Sequence, residues 1–266
     1  MKRKIPFEKY EAAGNDFIIL DFFEFWHTDI NDPLLMARMC DRHFGVGADG
    51  IIALCPHEEH AFEMKYLNSD GRFSSFCGNG SRAISHYYYR KYGKTSFDFV
   101  AADGLHEAEV LDSSRIRIRM KNLTKPVSTP FGYLVDSGSP HLIKEVDNPF
   151  GLKVKEVGKP LRDEFGSDGV NVNFIAIEGN KLLIATYERG VEDETLACGT
   201  GIVASAFYNC WKEQSKGVQL QNVMCKGGSL QVELTIHGDV AEEVYLIGPV
   251  HHVFSGTFFI GEDARF

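Results

Sequence analysis

The chain has 266 residues, of which 44% are hydrophobic and 24% charged, and its formal net charge is −9. These values are typical of a globular protein with one large domain or two ordinary ones. The acidic balance excludes nucleic acid as an expected partner, because no basic block offsets it, and no apolar run reaches the length of a membrane span.

The first half of the sequence predicts a strand-rich fold with two helices. Asp32-Pro33 predicts a helix start, since Asp caps the first backbone N–H groups and Pro fits the first helical position. A second helix is predicted from about residue 81 to residue 92, and Gly93 should end it. The predicted strands of this half are 5–10, 17–21, 51–54, 61–67, 96–100, 107–111 and 115–120.

The second half repeats these signals after residues 121–130, whose Pro, Thr, Ser and Asn content predicts a linker. Strands are predicted at 171–177 and 182–187. A helix from residue 202 to about 214 is apolar on nearly every side and should be buried. We therefore expect an α+β fold of two pseudo-symmetric domains, each an antiparallel sheet or barrel around a central helix. Their expected bounds are 1–125 with 255–266 for one domain and 126–254 for the other.

Two Cys-Gly-x-Gly motifs lie at the starts of the two central helices, Cys77-Gly78-Asn79-Gly80 and Cys198-Gly199-Thr200-Gly201. A helix N-terminus favours the thiolate form of a cysteine and can also hold a carboxylate. Aligning Tyr66 with Tyr187 superposes both motifs without a gap, which indicates a duplicated fold. The other cysteines, Cys40, Cys55, Cys210 and Cys225, are expected to be ordinary core thiols.

Two activated thiols suit a reaction that inverts a stereocentre by proton exchange. One thiolate removes the α-proton and a thiol on the opposite face returns a proton, so two similar halves facing each other across a cleft could supply one cysteine each. Forming a carbanion beside a carboxylate also requires N–H donors and exclusion of water. The motifs therefore predict a racemase or epimerase.

The chain resembles the diaminopimelate epimerase family over nearly its whole length. The motifs that carry the resemblance are Gly14-Asn15-Asp16-Phe17, Arg42 to Gly50, Asn68-Ser69-Asp70-Gly71, Cys77 to Arg82, Ser139-Pro140-His141, Val170-Asn171, Tyr187-Glu188-Arg189-Gly190 and Ala197 to Gly201. The resemblance implies an epimerase that interconverts LL- and meso-diaminopimelate for lysine and peptidoglycan precursors. It also implies that the enzyme uses no cofactor or metal and is a cytoplasmic homodimer that closes on its substrate. The lack of an apolar segment after the basic N-terminus agrees with the cytoplasm, where cysteines are reduced.

The resemblance also implies a role for each matching position. Cys77 and Cys198 would be the catalytic acid and base, and His141 and Glu188 would adjust their pKa values. The implied substrate-binding positions are Asn15, Asn68, Gly78, Asn79, Asn171, Glu188, Arg189, Gly199 and Thr200. Ser139 joins this set where many members have Asn. The sequence also departs from many members in a segment one residue longer between Glu188 and Cys198, and in bulky residues at 72–76.

Other interpretations remain open at this point. A proline or hydroxyproline racemase-type epimerase would use the same thiol pair. The first motif of those relatives resembles Cys-Gly-His-Gly, however, and this chain has Asn79 in place of the His. A thiol redox switch or a metal-binding protein is disfavoured because there is no Cys-x-x-Cys and no nearby His-x-x-His. A pyridoxal-phosphate racemase with a Schiff-base lysine is also disfavoured.

Overall fold

A computed structural model describes residues 3–24 and 29–260. The chain forms two compact units, Met1–Ile116 with Val250–Phe266, and Arg117–Pro249. The sequence placed the corresponding divisions after residues 125 and 254, and the predicted residues 261–266 of the first domain lie outside the described residues. No helix in the described ranges is long and apolar enough to cross a membrane.

The first unit holds two helices and most of the early strands. These are β1 (Arg3–Ala12), β2 (Asn15–Asp21), α1 (Pro33–Cys40), β3 (Gly50–Cys55), β4 (Glu63–Asn68), α2 (Gly78–Tyr92), β5 (Ser96–Ala101) and β6 (Gly104–Val110). Strand β7 (Arg115–Arg119) contains the division between the units.

The second unit repeats this order of strands and helices. Its elements are β8 (Val127–Thr129), β9 (Gly132–Asp136), β10 (Pro140–Glu145), a 3-10 helix (Pro149–Gly151), α3 (Val154–Asp163), β11 (Asn171–Glu178), β12 (Lys181–Glu188), β13 (Asp193–Thr195), α4 (Gly199–Lys212), β14 (Gly217–Cys225), β15 (Gly228–His237) and β16 (Val240–Pro249). The last strand, β17 (His251–Ile260), returns to the first unit and pairs with β1.

Each α-helix connects two strands that pair in parallel. Helix α1 lies between β2 and β3, and α2 between β4 and β5. Helix α3 lies between β10 and β11, and α4 between β12 and β14. Parallel neighbours need such a crossover because a tight hairpin can join only antiparallel strands. The predicted α+β fold is confirmed, but the sheets are mixed where we expected antiparallel ones.

The order of pairings is the same in the two units. From β1 to β6 the successive pairs are antiparallel, parallel, antiparallel, parallel and antiparallel. The strands β9, β10, β11, β12, β14 and β15 follow the same order. This repetition agrees with the duplication inferred from the cysteine motifs.

Local signals explain several element boundaries. The Asp32 side chain accepts from the backbone N–H groups of Leu34 and Leu35, so the predicted start of α1 is confirmed. Gly93 ends α2 with a left-handed φ of 70°, a conformation that costs glycine little. Helix α4 is buried over most of its length, as its apolar sequence predicted.

Two features of the second unit differ from the prediction. The predicted linker is wrong: β8 lies within it, and buried Leu123 forms a bridge with Ala241. Helix α3 was missed because no side chain caps its N-terminus and Pro160 lies inside it, so the usual signals are absent.

Candidate active site

Cys77 is the N-cap residue of α2, which begins at Gly78 and therefore three residues earlier than predicted. The half-buried Cys77 sulfur accepts a hydrogen bond from the backbone N–H of Gly80 at 3.4 Å. It also lies 4.0 Å from Oδ1 of Asn15, the first residue of β2. A sulfur in this position lies beside the positive end of the helix dipole, which favours negative charge on it.

Asn15 and Asn79 meet beside this sulfur. Asn79 Nδ2 lies 3.4 Å from Asn15 Oδ1, and Asn15 Nδ2 donates to Asp49 Oδ2 at 2.7 Å. Fully buried Arg82 donates to Asn79 Oδ1 at 2.7 Å and to the Gly78 carbonyl at 3.2 Å. The structure thus brings Asn15, Gly78 and Asn79 together around Cys77.

A network of charged groups positions Asn15 through its acceptor, Asp49. Arg42 donates to both carboxylate oxygens of Asp16, at 3.0 and 2.7 Å, and to Asp49 at 2.7 Å. Buried Lys9 pairs with Asp16 at 2.6 Å and also donates to the Gly47 carbonyl. Burial opposes ionisation of Asp16, but its bonds to Arg42 and Lys9 hold its pKa well below the usual range. Asp49, the acceptor that orients Asn15, shares Arg42 with Asp16 in this network.

Asn68 is exposed at the end of β4, where it pairs with Gly50 of β3. Its backbone N–H bonds to the Arg72 carbonyl at 3.0 Å, and its carbonyl accepts from Gly71 at 2.9 Å. These bonds form a turn in which Gly71 has a φ of 79°. An added Cβ at Gly71 would lie 2.0 Å from the Pro33 carbonyl oxygen, so only glycine fits there.

Cys198 is the N-cap residue of α4 and is 7% exposed. Its sulfur lies 3.6 Å from the hydroxyl oxygen of Thr200. Ser137, on the turn before β10, donates to the Thr200 carbonyl at 2.8 Å and ties the helix start to that turn. The two cysteines thus occupy the same position in their respective helices.

His141 contacts Thr200 from beneath the start of α4. Nε2 of fully buried His141 lies 2.9 Å from Thr200 Oγ1, and its Nδ1 lies 2.9 Å from Nδ2 of Asn173. Asn173 in turn accepts from Thr186 Oγ1 at 2.9 Å. Burial lowers the pKa of His141 to about 3, so the imidazole is neutral at physiological pH.

The last glycine of each motif leaves room for a different neighbour. A Cβ on Gly201 would lie 2.5 Å from Asn173 Oδ1 and 3.3 Å from His141. A Cβ on Gly80 would lie 2.8 Å from the Cδ1 methyl of Ile52. Polar groups therefore support the helix start at Cys198 at the place where an aliphatic side chain supports the one at Cys77.

Ser139, Asn171 and Arg189 form a second cluster in the same unit. Asn171 Nδ2 donates to Ser139 Oγ at 2.9 Å, and Asn171 Oδ1 accepts from the backbone N–H of Arg189 at 2.9 Å. The Arg189 guanidinium lies 3.4 Å from Ser139 Oγ and 3.3 Å from the Asp168 carbonyl. Asn171 also pairs with His141 in the parallel ladder of β10 and β11, which places this cluster beside the Cys198 motif.

Glu188 is the last residue of β12. It hydrogen-bonds Cys198 and directly precedes Arg189 of the second cluster. Burial raises the pKa of its carboxyl group, while bonds with Thr195 and Cys198 oppose that rise. Thr195 donates to Glu188 Oε2 at 2.8 Å. In the segment that follows, Glu192 accepts hydrogen bonds from Tyr187 at 2.9 Å and from the Gly190 N–H at 3.0 Å, and these bonds hold the segment against the end of β12.

The sequence interpretation assigned no role to several polar residues that contact these groups. They are Arg82, Asp49, Ser137, Asn173, Thr186 and Thr195, although Asp49 and Arg82 lie within the motifs that carry the resemblance. Asn173 carried a usable signal, because it stands two residues after Asn171 in an otherwise apolar strand and so lies on the same face. No group of three or more His, Cys, Asp or Glu side chains within residues 3–24 and 29–260 is arranged to hold a metal ion.

Comparison with known proteins identifies the family of this chain. The family model described as diaminopimelate epimerase matches residues 7–125 and 133–253. A diaminopimelate epimerase of Flavobacterium psychrophilum is 38% identical over 256 residues, which cover 94% of this chain and 98% of that protein. The chain belongs to the diaminopimelate epimerase family. A further member, from Chlorobaculum tepidum, is 37% identical over 267 residues, covering 92% of this chain and 98% of its own length.

Solved structures with low sequence identity share the fold. A hydroxyproline epimerase from Agrobacterium vitis has a TM-score of 0.72 at 15% identity and covers 99% of this chain and 95% of its own. A PhzF-family protein of Bacillus anthracis has the same TM-score and identity, with 97% and 99% coverage. Membership of the diaminopimelate epimerase family makes the chain an isomerase and favours the predicted function over a racemase of the proline type.

Proposed function

We propose that this protein interconverts LL- and meso-2,6-diaminopimelate by a two-base thiol mechanism without a cofactor. The product would serve lysine and peptidoglycan precursor synthesis. The observation that carries the proposal is the cysteine at the N-cap of the corresponding helix in each unit, in a chain of this family.

In the proposed reaction the thiolate of one cysteine takes the proton from the α-carbon of the substrate. The electron pair of the C–H bond delocalises into the adjacent carboxylate, and the thiol of the other cysteine gives a proton to the opposite face. The first sulfur ends as a thiol and the second as a thiolate, so the reverse reaction exchanges their roles. N–H groups in the first turns of α2 and α4 would stabilise the negative charge on the carboxylate.

The neighbouring residues have distinct proposed roles. Asn15, Asn68, Asn171, Arg189 and Ser139 would bind the substrate together with Gly78, Asn79, Gly199, Thr200 and Glu188. His141 is neutral and hydrogen-bonded to Thr200, so it would influence Cys198 through that hydroxyl group. Glu188, with its raised pKa, would share a proton with Cys198.

The family resemblance also leads us to propose a cytoplasmic homodimer. Analytical ultracentrifugation of the purified protein tests the oligomeric state, and a species of one 29.8 kDa chain at assay concentration would contradict it.

The function is tested with purified, reduced protein and LL-diaminopimelate in the presence of a chelator and without pyridoxal phosphate. Chiral chromatography should show the meso isomer appearing until both isomers reach equilibrium, while L-proline under the same conditions stays unchanged. If folded protein converts no diaminopimelate, or converts it only after pyridoxal phosphate is added, the proposal is wrong.

A further inference from the structure

A continuous chain of polar side chains leads from Thr186 on β12 to the Cys198 sulfur. Its steps are Thr186 to Asn173 at 2.9 Å, Asn173 to His141 at 2.9 Å, His141 to Thr200 at 2.9 Å, and Thr200 to Cys198 at 3.6 Å. Thr186 is 3% exposed, and Asn173 and His141 are fully buried, so water does not compete for the first two of these bonds, whereas Thr200 is partly exposed.

The direction of each bond in this chain determines the next. The Asn173 amide directs its oxygen toward the Thr186 hydroxyl and its nitrogen toward His141. An amide nitrogen can only donate, so Nδ1 of His141 must accept and carries no proton. A neutral imidazole then has its proton on Nε2 and donates to Thr200 Oγ1. Because His141 is the donor in this bond, the hydrogen of the Thr200 hydroxyl is not used there and is available to the Cys198 sulfur.

We propose that Asn173 and Thr186 are positioning residues that hold His141 in its Nε2–H tautomer, so that the Thr200 hydroxyl donates a hydrogen bond to the Cys198 thiolate. The proposal gives the Thr200 hydroxyl a role separate from substrate binding through its backbone. It rests on the proposed thiol chemistry only for its consequence in catalysis, since the tautomer and the hydrogen bond exist in the free protein.

The corresponding place in the first unit is apolar. Ile52 and Met64 lie closest to the position of a Cβ on Gly80, whereas Asn173 and His141 lie closest at Gly201. Two thiols in otherwise similar helix starts therefore have different surroundings. The Thr200 hydroxyl should lower the pKa of Cys198 with no effect on Cys77.

Other titratable and charged groups also face this chain. Glu188 of β12 hydrogen-bonds Cys198. The charge of Asp136 raises the pKa of His141, and the charge of Arg189 lowers it. The test must therefore remove the hydroxyl groups one at a time and leave these charges in place. Thr200→Val and Thr186→Val do so with nearly the same shape. Thr235→Val on β15 is the matched control, because its hydroxyl donates to exposed Glu243 at 3.3 Å, a residue outside this polar chain.

The first measurement is the tautomer of His141 in the free protein, read from the ¹⁵N chemical shifts of its two ring nitrogens. The expected result is a protonated Nε2 and an unprotonated Nδ1, with a second tautomer appearing in Thr186→Val but not in Thr235→Val. A proton on Nδ1 in the wild-type protein would overturn the proposal, whether or not the protein epimerises diaminopimelate.

The second measurement is the rate of iodoacetamide alkylation at Cys198 and Cys77 as a function of pH, resolved by peptide mass spectrometry. Thr200→Val should slow the reaction of Cys198 at pH 7 by about tenfold, because a lost hydrogen bond to a charged sulfur raises the thiol pKa by about one unit. Thr200→Ser should restore it, and Cys77 serves as the internal reference. An unchanged profile of Cys198 in folded Thr200→Val would also overturn the proposal.

Discussion

Asn171 holds Arg189 by its backbone: Asn171 Oδ1 accepts the Arg189 N–H at 2.9 Å, while Asn171 Nδ2 donates to Ser139 at 2.9 Å. One amide therefore fixes two of the proposed substrate-binding residues. Both lie in segments where we expect this chain, from its sequence, to depart from many family members.

Substitution of Asn171 by Ala should weaken substrate binding. We expect the KM for diaminopimelate to rise about tenfold, with a smaller change in kcat, because Arg189 and Ser139 lose their common partner. Steady-state kinetics measure both constants. Asn222→Ala removes a comparable amide on β14, which accepts a hydrogen bond from Gln231 of β15 at 2.9 Å, and should leave KM unchanged; an equal rise in both variants would argue against this role.

Removal of either N-cap cysteine should strongly reduce the rate of epimerisation. Cys77→Ala and Cys198→Ala should each lower kcat by about 10²–10⁴-fold, the usual contribution of an acid or base, with a cooperative thermal transition retained. Cys210→Ala is the control, since burial raises the pKa of that thiol to about 11 and keeps it protonated. Near-normal turnover of either N-cap variant would contradict the two-base mechanism.

The two motif glycines should respond differently to alanine. Gly80→Ala presses on the terminal methyl of Ile52 and should cost about 1–2 kcal/mol of unfolding free energy. Gly201→Ala presses on Asn173 Oδ1, which bonds to Thr186, and should cost a further ~1–3 kcal/mol by breaking buried hydrogen bonds. Urea unfolding at pH 7 compares them. Equal losses would show that the polar chain beneath Gly201 yields as easily as the methyl group.

His141 should make the stability of the protein depend on pH below neutrality. Burial lowers its pKa from 6.5 to about 3, so between these values the unfolded chain binds a proton that the folded protein does not. The contribution of neutral His141 to the free energy of unfolding is fully present above pH 6.5. It is lost as pH falls toward 3, by up to ~1.4 kcal/mol per pH unit.

Urea unfolding of wild-type protein and His141→Gln at pH 7 and pH 5 measures this contribution. The wild-type protein should lose more unfolding free energy on acidification than the variant does. His237→Gln, at the exposed end of β15, is the matched control. If His141→Gln kept the wild-type dependence on pH, another group would be responsible.

Sequence patterns predicted the parts of the fold that local chemistry determines. The Asp32 cap, the Gly93 stop and the buried α4 follow from side-chain type and periodicity alone. The parallel pairs did not follow, because the partner of a strand depends on where the crossover helix delivers the chain, and the period of two is the same in parallel and antiparallel strands.

The candidate site shows the same division. The cysteine motifs, Asn15 and His141 are visible as a repeat and as a family resemblance. Arg82 bonds to Asn79, and Asn173 bonds to His141, as buried pairs. A single sequence does not show which polar residues are buried together, so these contacts were not predicted.

The central claim, that two thiols act on one α-carbon, is tested most directly by the fate of solvent deuterium early in the reaction. LL-diaminopimelate is incubated with the protein in D₂O, and substrate and product are separated at low conversion and analysed by mass spectrometry. The account predicts one deuterium at the inverted α-carbon of meso product and almost none in the recovered substrate, because a second, solvent-exchanged thiol delivers the new hydrogen. Product that retains the original hydrogen would contradict it.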